Sequence, residues 1–463
     1  MVTELFVASA LIALASMLLS PRVKTASSFY HGTSQSGQQP GLLTLTLSQV
    51  TTWIFARSLM NAAILGFYYG LWGTLAYAAY YLSFLTGAAI IDSLRFRHGY
   101  RNIQGFLHDR FGSTGTSCYN FVIGLRLVSE VFANVLVIGI LFGASGSDLY
   151  TFSIIGFAVV TLLYSMSGGL HASLRTDVMQ MFIFIIVLSV LLMTMIFGEQ
   201  FSWDVVGFKA FDIQQPGPIL LLVALLQVWS YPMHDPVMMD RGFLADRATT
   251  RRSFYHAAWI SILCILSFGL LGIYAGANTM SGENMNATLT RLLGDTPMLL
   301  FSITLIISAM STLDSTLSSS AKLIVIDMKL LPPSIFNGRV IMALFMLLGL
   351  LLAFSGNRDL FSAVAVSGTA SMYLAPVIFF SLWAGRNDIP VWSYSASFIL
   401  AVGGAVLYFL ESSAHTAWLG ESHKYTKLLW ISLAVMLGGC LLFWLGGKTA
   451  PQQNPVNGNV ASS

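Results

Sequence analysis

The chain has 463 residues, of which 56% are hydrophobic and only 9% charged, and its mean hydropathy is +0.73. A soluble domain carries about 25% charged residues, so this composition excludes a water-soluble core and makes lipid the solvent. The formal net charge of +3 is too small to point to a nucleic-acid partner. Cys118, Cys264 and Cys440 fall in apolar runs, at spacings that suit neither a metal cluster nor a disulfide framework, and read as small buried hydrophobes.

A membrane span needs roughly 20 apolar residues in helical form. The first candidate, 2–20, contains "LFVASALIALASMLLS". A signal peptide begins with a positive region, whereas here the first charge is Glu4 and Arg22 and Lys24 follow the run, so a retained spanning helix is expected. The further candidates in chain order are 42–70, 71–93, 115–143, 149–167, 176–198, 217–234, 253–276, 297–327, 338–355, 359–384, 391–410 and 426–446, about thirteen in all. The tail from 447 to 463 is polar, rich in Pro and Asn, and expected to be disordered and cytoplasmic.

Lysine and arginine set the orientation. With the N-terminus outside, Arg22, Lys24, Arg95, Arg97, Arg101, Arg110, Arg175, Arg241, Arg247, Arg251, Arg252, Lys329, Arg339, Arg386 and Lys448 are all cytoplasmic. Only Lys209, Arg291, Arg358, Lys424 and Lys427 lie outside. The expectation is a multi-pass protein of the plasma (inner) membrane with its C-terminus in the cytoplasm. Arg57, Arg126 and Lys322 fall within spans. Lys322, near a cytoplasmic end, is expected to snorkel.

Two spans carry polar stripes. In 115–143, Arg126, Glu130 and Asn134 recur at i, i+4 and i+8, which predicts an Arg126–Glu130 pair facing the bundle. The stretch "SAMSTLDSTLSSS", 308–320, interrupts a greasy run with hydroxyls and a carboxylate. At about 100° per residue, Ser308, Ser311, Thr312, Ser315 and Ser319 share one face, with Asp314 and Ser318 on its flank. Close helix packing accounts for Ser318 to Ser320, because serines bond their own backbone. It does not account for Asp314. A mid-membrane carboxylate is functional or paired, and a hard cation such as Na⁺ takes such oxygens near the midplane in secondary transporters.

This stretch resembles the sodium-site helix of the sodium:solute symporter family. "YSMSGGLHASLRTDVMQ", 164–180, is similar to the family's signature loop and following helix, and "RGFLADRATTRRS" to its basic loop after the seventh segment. The resemblance implies an all-α integral membrane fold with a 5+5 inverted-repeat core of LeuT type. The repeats are then 42–198 and 217–384, with an extra helix at 1–20 and two more at 391–446. The first helix of each repeat is interrupted. Pro232 and Pro236 give a physical reason in the second, whereas "SQVTTWIFARS" in the first lacks the usual glycines.

The resemblance also implies a main sodium site made of the carbonyls of Thr51, Ile54 and Ser308 with the side-chain oxygens of Ser311 and Thr312. Asp177, Ser311, Asp314 and Ser315 match a second sodium site carried by some members; Asp177 also reads as a helix cap. Trp53 stands where proline symporters have a carboxylate that helps sodium binding. Arg57, Ser58, Asn61, Arg126, Gln227, Tyr231 and His234 are the candidate solute contacts.

An arginine offers a bidentate fork for a carboxylate, so a small carboxylate-bearing solute is the first expectation. The alternative is a neutral polar solute of urea or sugar type, with Arg57 then paired to Glu130 or Asp235. Sodium-coupled symport by alternating access is the leading function, with sodium, a small solute and the lipid bilayer as partners. Proton coupling through Asp177 and Asp314 is its variant. A sensor built on a transporter fold and a channel rank below it. No G-x-x-x-x-G-K-[ST] loop and no Ser/His/Asp constellation points to an ATPase or an enzyme. The oligomeric state is left open.

Overall fold

The computed structural model describes residues 2–33, 37–198, 201–207, 210–354 and 360–449. Lys209, Arg358 and the tail beyond residue 449 lie outside the described residues. Among the described residues every element is helical. Helix α1 (Val2–Leu19) is apolar on all sides and turns Phe6, Leu11 and Leu18 outward, as a helix bathed in lipid does. A short α2 (Ala26–His31) starts at the Thr25 cap, where the Thr25 side chain accepts from the Ser28 amide. Then come α3 (Leu42–Trp53), α4 (Ala56–Ala79) and α5 (Ser83–Ile91). The last ends in a π-helical turn over Asp92–Arg97.

Helix α6 (Ile103–Phe142) starts at Asn102 and α7 (Asp148–Ile196) at Ser147, and in each the cap side chain accepts from a backbone amide of the first turn. The chain continues through α8 (Pro216–Gln227), α9 (Tyr231–His234), α10 (Pro236–Arg241), α11 (Arg247–Ala277) and α12 (Met285–Leu293). Next are α13 (Asp295–Lys322), α14 (Ile335–Phe354), α15 (Leu360–Ser371), the single turn α16 (Leu374–Pro376), α17 (Val391–Ser412) and α18 (Lys424–Thr449). Residues 447–449, expected to be disordered, therefore belong to the last helix.

Ten helical stretches among the described residues are long and apolar enough to cross a membrane. Three of them are divided by glycines at or near expected segment borders, α6 among them, where Gly112 (φ 62°) lies just before the expected start at 115. Gly70 (φ 60°) breaks α4, and Gly169 (φ 55°) breaks α7. At Gly169 a β-carbon would also lie 2.4 Å from the Phe29 carbonyl oxygen, so both the backbone angle and the close approach of α2 require glycine there. Helix resumes directly after Gly169, so Asp177 lies inside α7 and caps nothing.

Both expected helix interruptions occur. Between α3 and α4, Ile54 (φ −81°, ψ 64°) and Phe55 (φ −51°, ψ 149°) leave helical geometry. Between α9 and α10, Asp235 is extended (φ −107°, ψ 99°), the conformation that the proline after it imposes. Burial orders the bundle by polarity. In α13, 83% of the best spanning window is buried, against 28% in α1 and 33% in α7. The helix richest in hydroxyls is thus the most enclosed, and the greasy ones face outward, as expected where lipid is the solvent and polar groups must find partners inside.

Candidate ion and solute site

The α3 break and the middle of α13 meet at the centre of the bundle. No glycine or proline makes this break; side chains from elsewhere hold it. A helix end frees peptide carbonyls, and here the Trp53 carbonyl accepts from the Tyr81 hydroxyl at 3.0 Å while the Ile54 carbonyl accepts from the Ser308 hydroxyl. Ser308 thus meets Ile54 through its hydroxyl as well as lying level with it. The hydroxyls of Thr51 and Thr312 are buried and have no hydrogen-bond partner. Ser311 donates to Asp177 Oδ1 at 2.6 Å. Of the five residues expected to hold a main sodium ion, Ile54 and Ser308 meet directly, Thr51 lies one turn before Ile54 on α3, and Ser311 and Thr312 follow Ser308 by one turn on α13, with the hydroxyls of Thr51 and Thr312 uncommitted.

The four residues of the second set also come together, through α7. Asp177 accepts from Ser311 and from Ser48 of α3, both at 2.6 Å. Asp314 accepts from Thr176 at 3.0 Å, Ser173 at 2.8 Å and Ser315 at 3.2 Å. Arg241, counted above among the cytoplasmic loop residues, is instead fully buried at the end of α10 and enters this cluster. Its Nε donates to Ser48 Oγ at 2.8 Å, its Nη2 to Ser315 Oγ at 2.8 Å and Asp177 Oδ2 at 3.3 Å, and its Nη1 to the Val237 carbonyl at 2.9 Å. The partners lie between 64 and 193 residues away along the chain, outside the reach of local sequence patterns, apart from Val237 at four.

Lys322 does not snorkel. It is buried and donates to Asp240 at 2.6 Å and Asp327 at 3.1 Å. Asp240 also accepts from Ser319 at 2.8 Å, so consecutive residues of α10, Asp240 and Arg241, both tie that short helix to α13. Ser318 and Ser320 bond backbone carbonyls of their own helix, the packing role expected of them.

Arg57 and Arg126 both find anions. Arg57 donates to Glu130 Oε2 at 3.0 Å, and Arg126 bonds the same oxygen and reaches Asp235 Oδ2 at 3.0 Å. Two guanidinium groups and two carboxylates form a charge-balanced chain across α4, α6 and the α9–α10 break, and all four are buried. Asn134 completes the stripe by donating to Glu130 Oε1 at 3.2 Å. The Arg126 guanidinium lies 5.5 Å from the Phe55 ring centre and 5.9 Å from that of Tyr231, within cation–π range.

Beside this chain is a cavity of about 20 Å³, room for a water and no larger solute. Arg57, Ser58 and Tyr231 from the expected solute contacts line it, together with Trp53, Phe55 and three tyrosines, Tyr77, Tyr80 and Tyr81. Trp53 packs edge-to-face on Tyr81 (5.1 Å) and Tyr231 (5.8 Å). Tyr77, Tyr80 and Tyr81 stand at i, i+3 and i+4, one helical face, a signal present in "YAAYY" that an apolar context disguised. Gln227 lies one step back, accepting from Tyr80 at 3.0 Å, and His234 pairs with Ser367 at 2.9 Å. The Asn61 amide nitrogen, Trp53 Nε1 and the Nε atoms of Arg57 and Arg126 are buried without partners.

No protein-family model and no curated protein sequence matches the chain. Among solved structures it is similar to a Na⁺-coupled sialic acid symporter in a substrate-bound outward-open state, with a TM-score of 0.68 at 15% identity over 95% of this chain and 97% of that one. It is also similar to Mhp1, a nucleobase-cation-symport-1 family transporter, in a closed conformation with bromovinylhydantoin bound (TM-score 0.60, 14% identity, 91% and 96% covered). A manganese transporter from Eremococcus coleocola gives a TM-score of 0.50 at 12% identity over 88% of this chain and 94% of that one. The chain is a multi-pass membrane protein with the LeuT-type inverted-repeat fold that transporters of this kind share.

Proposed function

We propose that the chain is a sodium-coupled symporter of a small, uncharged polar solute, working by alternating access. The observation that carries this reading is the buried, unpartnered hydroxyl of Thr312 beside a helix break that frees peptide carbonyls. Uncommitted oxygens in a low-dielectric interior are costly unless something takes them, and a hard alkali cation is the ligand they suit. Sodium in that place gathers the carbonyls of Thr51, Ile54 and Ser308 with the hydroxyls of Ser311 and Thr312. The Ser308 hydroxyl then releases the Ile54 carbonyl to the ion. Because this contact joins the broken α3 to α13, the ion sets the position of one half of the bundle on the other.

In this reading residues 42–198 and 217–384 are the two repeats, flanked by 1–20 and 391–446. The end bearing Arg22, Lys24, Arg95, Arg247 and Lys448 faces the cytoplasm, with the N-terminus outside. The solute enters the aromatic chamber of Trp53, Tyr77, Tyr81 and Tyr231, which must widen to admit it. The pairing of Arg57 with Glu130 favours the uncharged solute, because no guanidinium is left over to neutralise an anion. The unpartnered Nε atoms of Arg57 and Arg126 favour one rich in acceptor oxygens. A carboxylate-bearing solute, the second reading, has to take the place of Glu130 on Arg57. Coupling is reciprocal: solute raises sodium affinity by the factor that sodium raises solute affinity.

The test is uptake from a mixed library of small metabolites into proteoliposomes, driven by an inward sodium gradient or an equal potassium gradient, with the lumen read by mass spectrometry. Uncharged polar solutes are expected to accumulate under sodium alone. Equal accumulation under both cations contradicts sodium symport, and accumulation of carboxylates only contradicts the uncharged class.

A further inference from the structure

We propose that Arg241 is a tethered cation that fills the second cation position, so that the chain takes up a single sodium ion per solute. The inference rests on the sodium-symport reading above and adds its stoichiometry. A sodium ion needs oxygen lone pairs. In the second cluster each of those oxygens already accepts at least one N–H or O–H donor: Ser48 and Ser315 each accept from Arg241 at 2.8 Å, and Asp177 accepts from Ser48, Ser311 and Arg241. Both Asp314 oxygens are taken by hydroxyls, Oδ1 by Ser173 and Oδ2 by Thr176. Arginine presents five N–H donors in a fixed fork and stays charged throughout the accessible pH range. It therefore does permanently what a bound ion does transiently.

Arg241 already supplies the positive charge facing Asp177, its one ion-pair partner in the cluster. A sodium ion among Asp177, Asp314 and Ser315 would stand against a fully buried guanidinium, where like charges are poorly screened. Expelling Arg241 would leave its own charge buried and unpaired. The side chain is anchored on the short α10, which also holds α13 through Asp240, so this cation moves with the protein and is never delivered across the membrane. It contributes a fixed charge to the cluster and nothing to the coupling gradient.

The test is the number of ²²Na⁺ ions bound per chain by the purified full-length protein in potassium-balanced buffer. Wild type is expected to bind about one. Arg241→Ala is expected to bind about two, Arg241→Lys about one, and the Arg241→Ala, Ser315→Ala double variant about one again. Free guanidinium at millimolar concentration should displace the additional ion from Arg241→Ala and leave the first in place. Should Arg241→Ala fail to fold, Arg241→Gln, which keeps N–H donors without the charge, replaces it. Two ions on wild type, or no gain on removing the guanidinium, overturns the role of Arg241 alone. No bound sodium on wild type overturns the symport reading itself.

Discussion

Replacing Ser311 and Thr312 together with alanine is expected to abolish sodium-driven accumulation while leaving the protein folded. Each hydroxyl facing a charged partner is worth about 1.5 kcal/mol or more, so losing both weakens sodium binding by on the order of 100-fold. Neither change opens a large cavity, because each removes only a hydroxyl or a hydroxyl and a methyl group from a fully buried helix. Thr312→Ser keeps the oxygen and is expected to retain transport. The readout is accumulation into proteoliposomes as a function of sodium concentration. A double variant with an unaltered sodium dependence contradicts the placement of the ion between the α3 break and α13.

Glu130→Gln is expected to cause the largest loss of stability of any single charge removal in the chain's interior. Glu130 is the carboxylate shared by Arg57 and Arg126, and all three are buried. Its neutralisation leaves two guanidinium groups with Asp235 as their one remaining anion. Removing one partner of a buried ion pair costs about 3–5 kcal/mol. The melting temperature in detergent should fall steeply for Glu130→Gln and less for Glu130→Asp, which keeps the charge on a shorter arm. A Glu130→Gln protein that melts with wild type contradicts the charge-balanced chain, and with it the argument that Arg57 is already neutralised before solute arrives.

Much of the architecture was legible because membranes impose it. The border near Gly169 shows in the sequence as the polar end of an apolar run, whereas residue 70 lies inside one; the structure bends at both on glycines with positive φ. The Pro236 break was legible for a covalent reason, since proline acts on the residue before it. The break at Ile54 and Phe55 was not, because its cause is tertiary: a tyrosine from the following segment and a serine from α13 capture the carbonyls. The Arg126–Glu130 pair followed from i, i+4 spacing, but Asp235, which completes it, lies 109 residues away. Arg241 was misread for a related reason. It heads a run of basic residues that are counted as loop charges, and only the fold reveals that α10 turns it inward. Tyr77, Tyr80 and Tyr81 carried a readable pattern, yet aromatic residues in an apolar run read as ordinary core until a cavity is found against them.

The central claim is that the oxygens of residues 51, 54, 308, 311 and 312 bind sodium in preference to other alkali cations. The melting temperature of the wild-type protein, measured as sodium chloride replaces potassium chloride at constant ionic strength, tests it most directly. Binding to the folded state alone predicts a rise with sodium that grows as the logarithm of concentration, reaching about 2.7 kcal/mol of stabilisation at a hundredfold excess over Kd. Identical melting in sodium and potassium across the whole series would contradict the account.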